Sequence, residues 1–416
     1  MTKLPKAATA AALVLTAVQA QAQCSPTNPS AGQTVTCTGV HTSEVDDVSE
    51  GIIVRLDNTA KILPGGDRGL DLSGDAVEIY VGEDTSSTAE ITSTGNDAIR
   101  LEGPDGLIIN YGTIDGDDEA IQSHDFDGLK LYNYGDILAG DEGVTGDDGV
   151  EIYNYAGATI KAMDDAVNLG LGAKIENWGL IENIGPSGPA PDFPQDAVDI
   201  DSGTITNYAT GIIRSTFDAA IDFDDDDGSG ATITNYGLIT GTYGIEVEKG
   251  GGADPANTSS QAVINFGRIV GTDGIAVDLG AGEDSFRWMA GSTVYGALDL
   301  GDDDDLFEID GPTSFADMIF ADGGFGIDIV KFGGVTLADF TSAVLSGDTM
   351  LLSLFGNGWD LNLSLTGWEL FDLGSRIYTS SELVDAVSPA PVPLPAAGWV
   401  FLGGLGLLAA VRRRRG

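Results

Sequence analysis

Apolar residues in this chain come in short runs, and the runs recur. Stretches such as Leu107-Ile108-Ile109 and Ala231-Thr232-Ile233-Thr234 end on an asparagine, an aromatic and a small residue. Short apolar pairs follow, such as Thr113-Ile114 and Leu238-Ile239. The asparagine signature begins at Asn110, Asn133, Asn154, Asn177, Asn207, Asn235 and Asn265, at intervals of 23, 21, 23, 30, 28 and 30 residues. A second signature joins an acidic, a small and an aliphatic residue. It reads Asp97-Ala98-Ile99, Glu119-Ala120-Ile121, Glu142-Gly143-Val144, Asp165-Ala166-Val167, Asp196-Ala197-Val198 and Asp273-Gly274-Ile275, with a variant at Asp218. Each period thus predicts about three strands of three to five residues, with turns between them and no amphipathic helix of useful length.

Three short strands per period is the coil of a parallel β-helix, here expected to be right-handed. One coil cannot bury its apolar residues alone, whereas stacked coils share a continuous core. Equivalent residues would then recur about 4.8 Å apart. Asparagine at a fixed corner is expected to tolerate a left-handed turn and to form an amide ladder, with the aromatics stacked beside it. A propeller blade needs about 40 residues, and sandwich strands should be longer and better alternated. The predicted order is a cap over 23–60, repeats over 61–334 and a second β cap over 335–387. That second cap contains a hairpin of Leu351–Phe355 and Leu361–Leu365, and a linker over 388–391 follows it. The repeats resemble the passenger regions of bacterial autotransporter adhesins and haemagglutinins, which implies adhesion. No closing barrel follows them, so that secretion route is not implied.

The two ends carry sorting information. Lys3 and Lys6, the apolar run Ala7–Val18 and Ala20-Gln21-Ala22 form a signal peptide over 1–22, with Gln23 the expected first mature residue. Cys24 and Cys37 are the only cysteines, and an oxidising compartment would pair them. At the other end, 392–416 read Val392-Pro393-Leu394-Pro395-Ala396, an apolar run to Val411, then Arg412, Arg413, Arg414 and Arg415. As a helix, Ala396 to Val411 would span roughly 24 Å, slightly short of a ~30 Å hydrocarbon core, with the arginines on the cytoplasmic side. This tail resembles the VPLPA variant of the PEP-CTERM sorting signals. The resemblance implies recognition by an exosortase-type enzyme, cleavage near the prolines, and delivery to the cell surface or extracellular polysaccharide. The membrane would hold the helix at least transiently, and a permanent anchor is the alternative.

Charge narrows the partners. The formal charge is 19 − 65 = −46, and removing both signals leaves 13 − 65 = −52. Such a surface repels nucleic acid and anionic lipid, and it invites divalent cations and, through them, anionic exopolysaccharide. Solubility in salt is the plainer account of the same acidity. Disorder is not expected, because 42% of the residues are hydrophobic.

Three segments resemble the calcium-binding glycine-rich repeats of secreted RTX proteins. Gly323 to Lys331 (GGFGIDIVK) fits the full nonapeptide, including Gly324, Gly326 and Asp328. Gly280 to Phe286 fits a shorter core through Gly282 and Asp284, and Gly301 to Phe307 fits through Asp305 with Asp303 in place of a glycine. Glycines let backbone carbonyls turn inward, and the aspartate adds a hard oxygen for Ca2+. Asp284, Asp305 and Asp328 lie 21 and 23 residues apart, so the motif comes once per coil and vertical neighbours would have to complete the cage. Plain glycine-aspartate corners are the alternative. The acidic column from Asp97 to Asp218 is a second candidate, expected to be solvated.

Catalysis is the runner-up function, because the parallel β-helix also hosts pectate lyases and polygalacturonase-like hydrolases. The hydrolases carry an aspartate trio with Gly-His-Gly and Arg-x-Lys. This chain has only His41 and His124, neither flanked by glycines on both sides, and no Arg-x-Lys. Arg100 and Arg214 read as surface ion pairs. The expected function is non-catalytic adhesion or polysaccharide association.

Overall fold

The computed structural model describes residues 23–123, 126–185, 195–223, 229–247, 258–311 and 314–387. They fall into two units divided after Val198. In the first, a representative coil consists of the strands Leu107–Asn110, Thr113–Gly116 and Ile121–Ser123. Each pairs in parallel with its counterpart one coil later: Asn110 lies opposite Asn133, Ile114 opposite Ile137, and Ile121 opposite Val144. Three parallel sheets result, so this unit is a β-solenoid.

Alternation within these short strands sends every second residue inward. Ile79, Ile108, Leu131, Ile152 and Ile175 form one fully buried column, and Ile91, Ile114, Ile137, Ile160 and Ile181 form another. Each such side chain contributes about 1.5–3 kcal/mol relative to exposure. The same residue types therefore recur at the same register from one coil to the next.

The first strand, Gln23–Ser25, lies antiparallel to Thr34–Thr38, and a disulfide joins Cys24 to Cys37 across them. Thr34–Thr38 already pairs in parallel with Ile53–Leu56. Stacking therefore begins at Thr34 rather than at 61, because Val35 and Val54 supply the same inward apolar positions as later coils.

The second unit starts with similar coils and then changes. Gly203–Asn207, Ala231–Asn235 and Ala262–Asn265 stack in parallel, followed by Ser285–Met289, Leu306–Asp310 and Asp328–Phe332. Asp273-Gly274-Ile275 does not open a separate third strand. It lies inside one strand, Arg268–Asp278, whose pairing with Thr293–Asp299 slips between Val270 and Ile275. A corner has been absorbed as a bulge, with Gly274 at φ 106°.

The terminal segment both continues and closes the stack. Trp359–Thr366 and Trp368–Asp372 extend two sheets in parallel. Phe340–Ser346, Thr349–Gly356 and Ile377–Thr379 then add antiparallel strands. The cap is not purely β, since a 3-10 turn, Leu337–Asp339, and a helix, Ser380–Val387, belong to it. Thr379 and Glu382 exchange side-chain-to-backbone bonds at 3.3 and 3.1 Å, a capping box that starts this helix. Among the described residues no helix is long and apolar enough to cross a membrane. The expected signal peptide and C-terminal helix lie outside the described residues.

Candidate functional site

The repeats set up columns of identical side chains, and two kinds matter chemically. The first is the asparagine column. Asn110 donates to Asn133 at 2.9 Å, Asn133 to Asn154 at 3.0 Å and Asn154 to Asn177 at 2.9 Å. In the second unit Asn207 donates to Asn235 and Asn235 to Asn265, both at 2.9 Å. All seven are fully buried. The same amides also donate to the main chain, as Asn133 does to the Thr159 carbonyl at 3.0 Å. None of the seven adopts a left-handed conformation; among the described residues, the non-glycine residues that do are Ala76, Asp105, Asp303 and Asn357. Each asparagine instead ends a strand, and where a glycine stands two residues later the asparagine side-chain oxygen accepts its N–H, as from Gly112 at 2.9 Å. The aromatics beside it stack, with Tyr134 and Tyr155 ring centres 4.1 Å apart. This column is a scaffold that fixes register.

The second kind is the glycine-aspartate corner of the second unit. Asp284, Asp305 and Asp328 are 2%, 2% and 0% exposed. Each carboxylate accepts a backbone N–H from the previous coil: Gln261 to Asp284 at 2.6 Å, then Asp284 to Asp305 and Asp305 to Asp328, both at 2.8 Å. Glu369 ends the series by accepting from Asp328 at 3.0 Å. One oxygen of each aspartate is thus satisfied, while Oδ2 of Asp284, Asp305 and Asp328 is buried with no partner. Burial pushes Asp284 and Asp305 up to about 8 and Asp328 to about 6, with neighbouring carboxylates adding to the rise.

The glycines make this corner possible. Gly282 and Gly324 have φ of 131° and 67°. A Cβ on Gly324 would drive into the Gly301 carbonyl, and one on Gly326 into the Asp303 carbonyl and the Asp328 carboxylate. The turns therefore wrap tightly around each aspartate. Sequence reasoning missed a second row, Asp278, Asp299 and Asp322, which stands in register six residues ahead of these aspartates. Its signal was present as the same 21- and 23-residue spacing.

Partnerless, buried, hard oxygens at glycine-rich turns fit a divalent cation of the calcium type. Among the described residues, groups of three acidic side chains with mutually close oxygens occur elsewhere, at Asp97-Asp118-Glu119 and at Asp127-Asp147-Asp148. Ligation at the corner would therefore draw on main-chain carbonyls beside each aspartate.

The other acidic column is not uniformly solvated. Asp97, Asp165 and Asp196 are buried. Asp97 accepts from Arg68 Nε at 2.9 Å, and Asp165 accepts the Asp196 N–H at 2.7 Å. Burial and a contact with the Asp97 carboxyl raise Glu119 to about 7. Arg100 pairs with Glu102 at 2.9 Å. His41 lines a small cleft with Glu44, Asp46 and Asp47, while His124 lies outside the described residues. So do Val392, Pro393, Leu394, Pro395, Ala396 and Arg412 to Arg415.

Fold and corner together define an all-β protein with long parallel sheets, built as a solenoid with an acidic turn column. The chain matches no family model, no curated protein sequence and no solved structure.

Proposed function

We propose that this chain is an exported, non-catalytic β-helix protein of the cell surface or extracellular matrix, associated with polysaccharide and carrying Ca2+ in its glycine-aspartate turns. The observation that carries the reading is the buried column of Asp284, Asp305 and Asp328 with its partnerless oxygens. A buried carboxylate without a partner is costly, and a bound cation removes that cost while locking successive coils together. Repeated, similar outer surfaces suit a protein that contacts an extended polymer many times. The winding is right-handed by the rule for parallel crossovers. The ends support export, with a signal peptide over 1–22 and an exosortase-type sorting signal over 392–416 that passes through the membrane.

Calorimetry on the full chain tests the calcium element. Saturable binding at or below millimolar Ca2+, weakened by Asp305→Asn, is expected, and no heat at millimolar Ca2+ removes it. Incubation with acidic polysaccharides separates the functional alternatives. No unsaturated product and no new reducing ends are expected. Turnover abolished by changing one arginine or aspartate would make the protein a polysaccharide lyase or hydrolase instead. Mass spectrometry of the mature C-terminus tests the sorting step, with an end near Val392–Ala396 as the expected result.

A further inference from the structure

The outer face of the second unit holds a concavity of about 280 Å³ beside the acidic corner, lined by Ile275, Asp299, Phe320, Asp322, Ser364 and Thr366 among others. Its origin is local. Strands Arg268–Asp278, Thr293–Asp299, Ser314–Asp322 and Trp359–Thr366 lie side by side, and Asp299, Asp322 and Thr366 share one register row. Phe320 stands opposite Ser364 in the neighbouring row. Where the first two strands slip, Gly296 turns to φ 125° and the small Ala297 follows it, opposite Ile275. The small Ala297 lines the hollow, and Phe320 rises on one side at 56% exposed.

We propose that this concavity binds a sugar unit of a neutral, hydroxyl-rich glycan. Asp322, whose Oδ1 already accepts the Gly324 N–H at 3.1 Å, keeps further acceptor capacity for a sugar hydroxyl. Asp299 lies beside it in the row, and hydrogen bonds to carboxylates are the stronger kind. Ser364 adds a hydroxyl that both donates and accepts, while the Thr366 hydroxyl, paired with that of Thr349 at 3.2 Å, keeps only part of that capacity. An exposed phenyl ring offers its face to the apolar C–H side of a pyranose. Charge decides between glycan classes. Asp299 and Asp322 in the lining, within a mature chain of 13 − 65 = −52, repel a uronate or sulfate. The hollow is slightly smaller than the ~300–1,000 Å³ of drug-sized sites, which suits one sugar ring rather than a long buried segment. The inference rests on the polysaccharide-associated reading and deepens it by naming a site and a glycan class. Acidic glycan bridged through Ca2+ would engage the surface elsewhere.

The test is an array of neutral and acidic oligosaccharides probed with the full chain at fixed Ca2+. Calorimetry follows with the best neutral ligand and with polygalacturonate, using the parent, Phe320→Ala and Asp322→Asn. Phe320 is exposed enough for its truncation to leave folding intact, and melting temperatures check both variants. Saturable neutral-glycan binding is expected, weakened about tenfold or more by each substitution, with polygalacturonate binding unchanged. Neutral binding that survives both substitutions overturns the site. Binding of acidic glycan alone also overturns it, while leaving the polysaccharide-associated reading in place. Failure of every glycan removes both.

Discussion

Asn154 shows how a single residue fixes the register of a coil. Fully buried, it accepts from Asn133 at 3.0 Å and donates to Asn177 at 2.9 Å and to the Leu180 carbonyl at 3.1 Å. Asn154→Ala leaves a buried amide and a buried carbonyl unmatched, and each orphan costs about 1–3 kcal/mol. Urea denaturation should therefore show a loss of about 3 kcal/mol. A loss below experimental error would mean the column is ornamental. Glu119 gives a prediction in pH. Its folded-state value of about 7 exceeds the ordinary 4.5, so the folded state binds that proton more tightly than the unfolded chain does. The stabilisation is complete below about 4.5 and declines as pH rises through about 7. Glu119→Gln should flatten the melting temperature across that window, and parallel profiles for parent and variant would contradict the assignment. The asparagines were legible because their side-chain type repeats at a fixed spacing. The burial of Asp97 was not, because its partner Arg68 lies on another coil, 29 residues away.

At the scale of the element, one position separates two kinds of corner. Where the signature ends in glycine, as at Gly112, Gly135 and Gly179, the chain passes directly into the next strand. A Cβ at Gly135 would drive into the Gly112 carbonyl of the preceding coil. Where it ends in alanine, two extra residues make a turn, closed by the Ala158 N–H on the Tyr155 carbonyl at 2.9 Å and by Gly211 on Tyr208 at 2.7 Å. Gly135→Ala should thus cost about 1–3 kcal/mol through forced backbone movement, whereas Ala156→Gly should cost well under that, both read by denaturant midpoints. Equal effects at the two positions would contradict the distinction. Period and strand content were readable from the sequence because inward positions must be apolar on every coil. The merging of two strands into Arg268–Asp278 was not, since Thr272-Asp273-Gly274 spells a corner equally well and pairing with Thr293–Asp299 decides the outcome. The helix at Ser380 was missed within the expected β cap, although the threonine and glutamate three residues apart that cap it stand in the sequence.

Across the whole molecule, charge and repetition pull against each other. A formal charge of 19 − 65 = −46 repels itself, and the ion pairs that relieve it are partly exposed, such as Lys130 with Glu151 at 2.8 Å. Exposed pairs are worth about 0–1 kcal/mol each, so they offset little of that repulsion. Monovalent salt should raise the melting temperature by screening. Ca2+ should raise it further than Mg2+ at equal ionic strength, because only a flexible oxygen cage suits the larger ion. Equal effects of the two divalent ions would reduce the acidic corner to a screening phenomenon. All of this chemistry depends on coils that lie over one another in parallel, one residue above its equivalent. Disulfide trapping measures that placement directly, using the outward pair Ile109→Cys with Tyr132→Cys, which face each other on neighbouring coils. Mild oxidation should cross-link this pair rapidly in the folded chain and leave Ile109→Cys with Tyr153→Cys, two coils apart, unlinked. Linkage of the distant pair in preference to the near one would contradict the stacked arrangement.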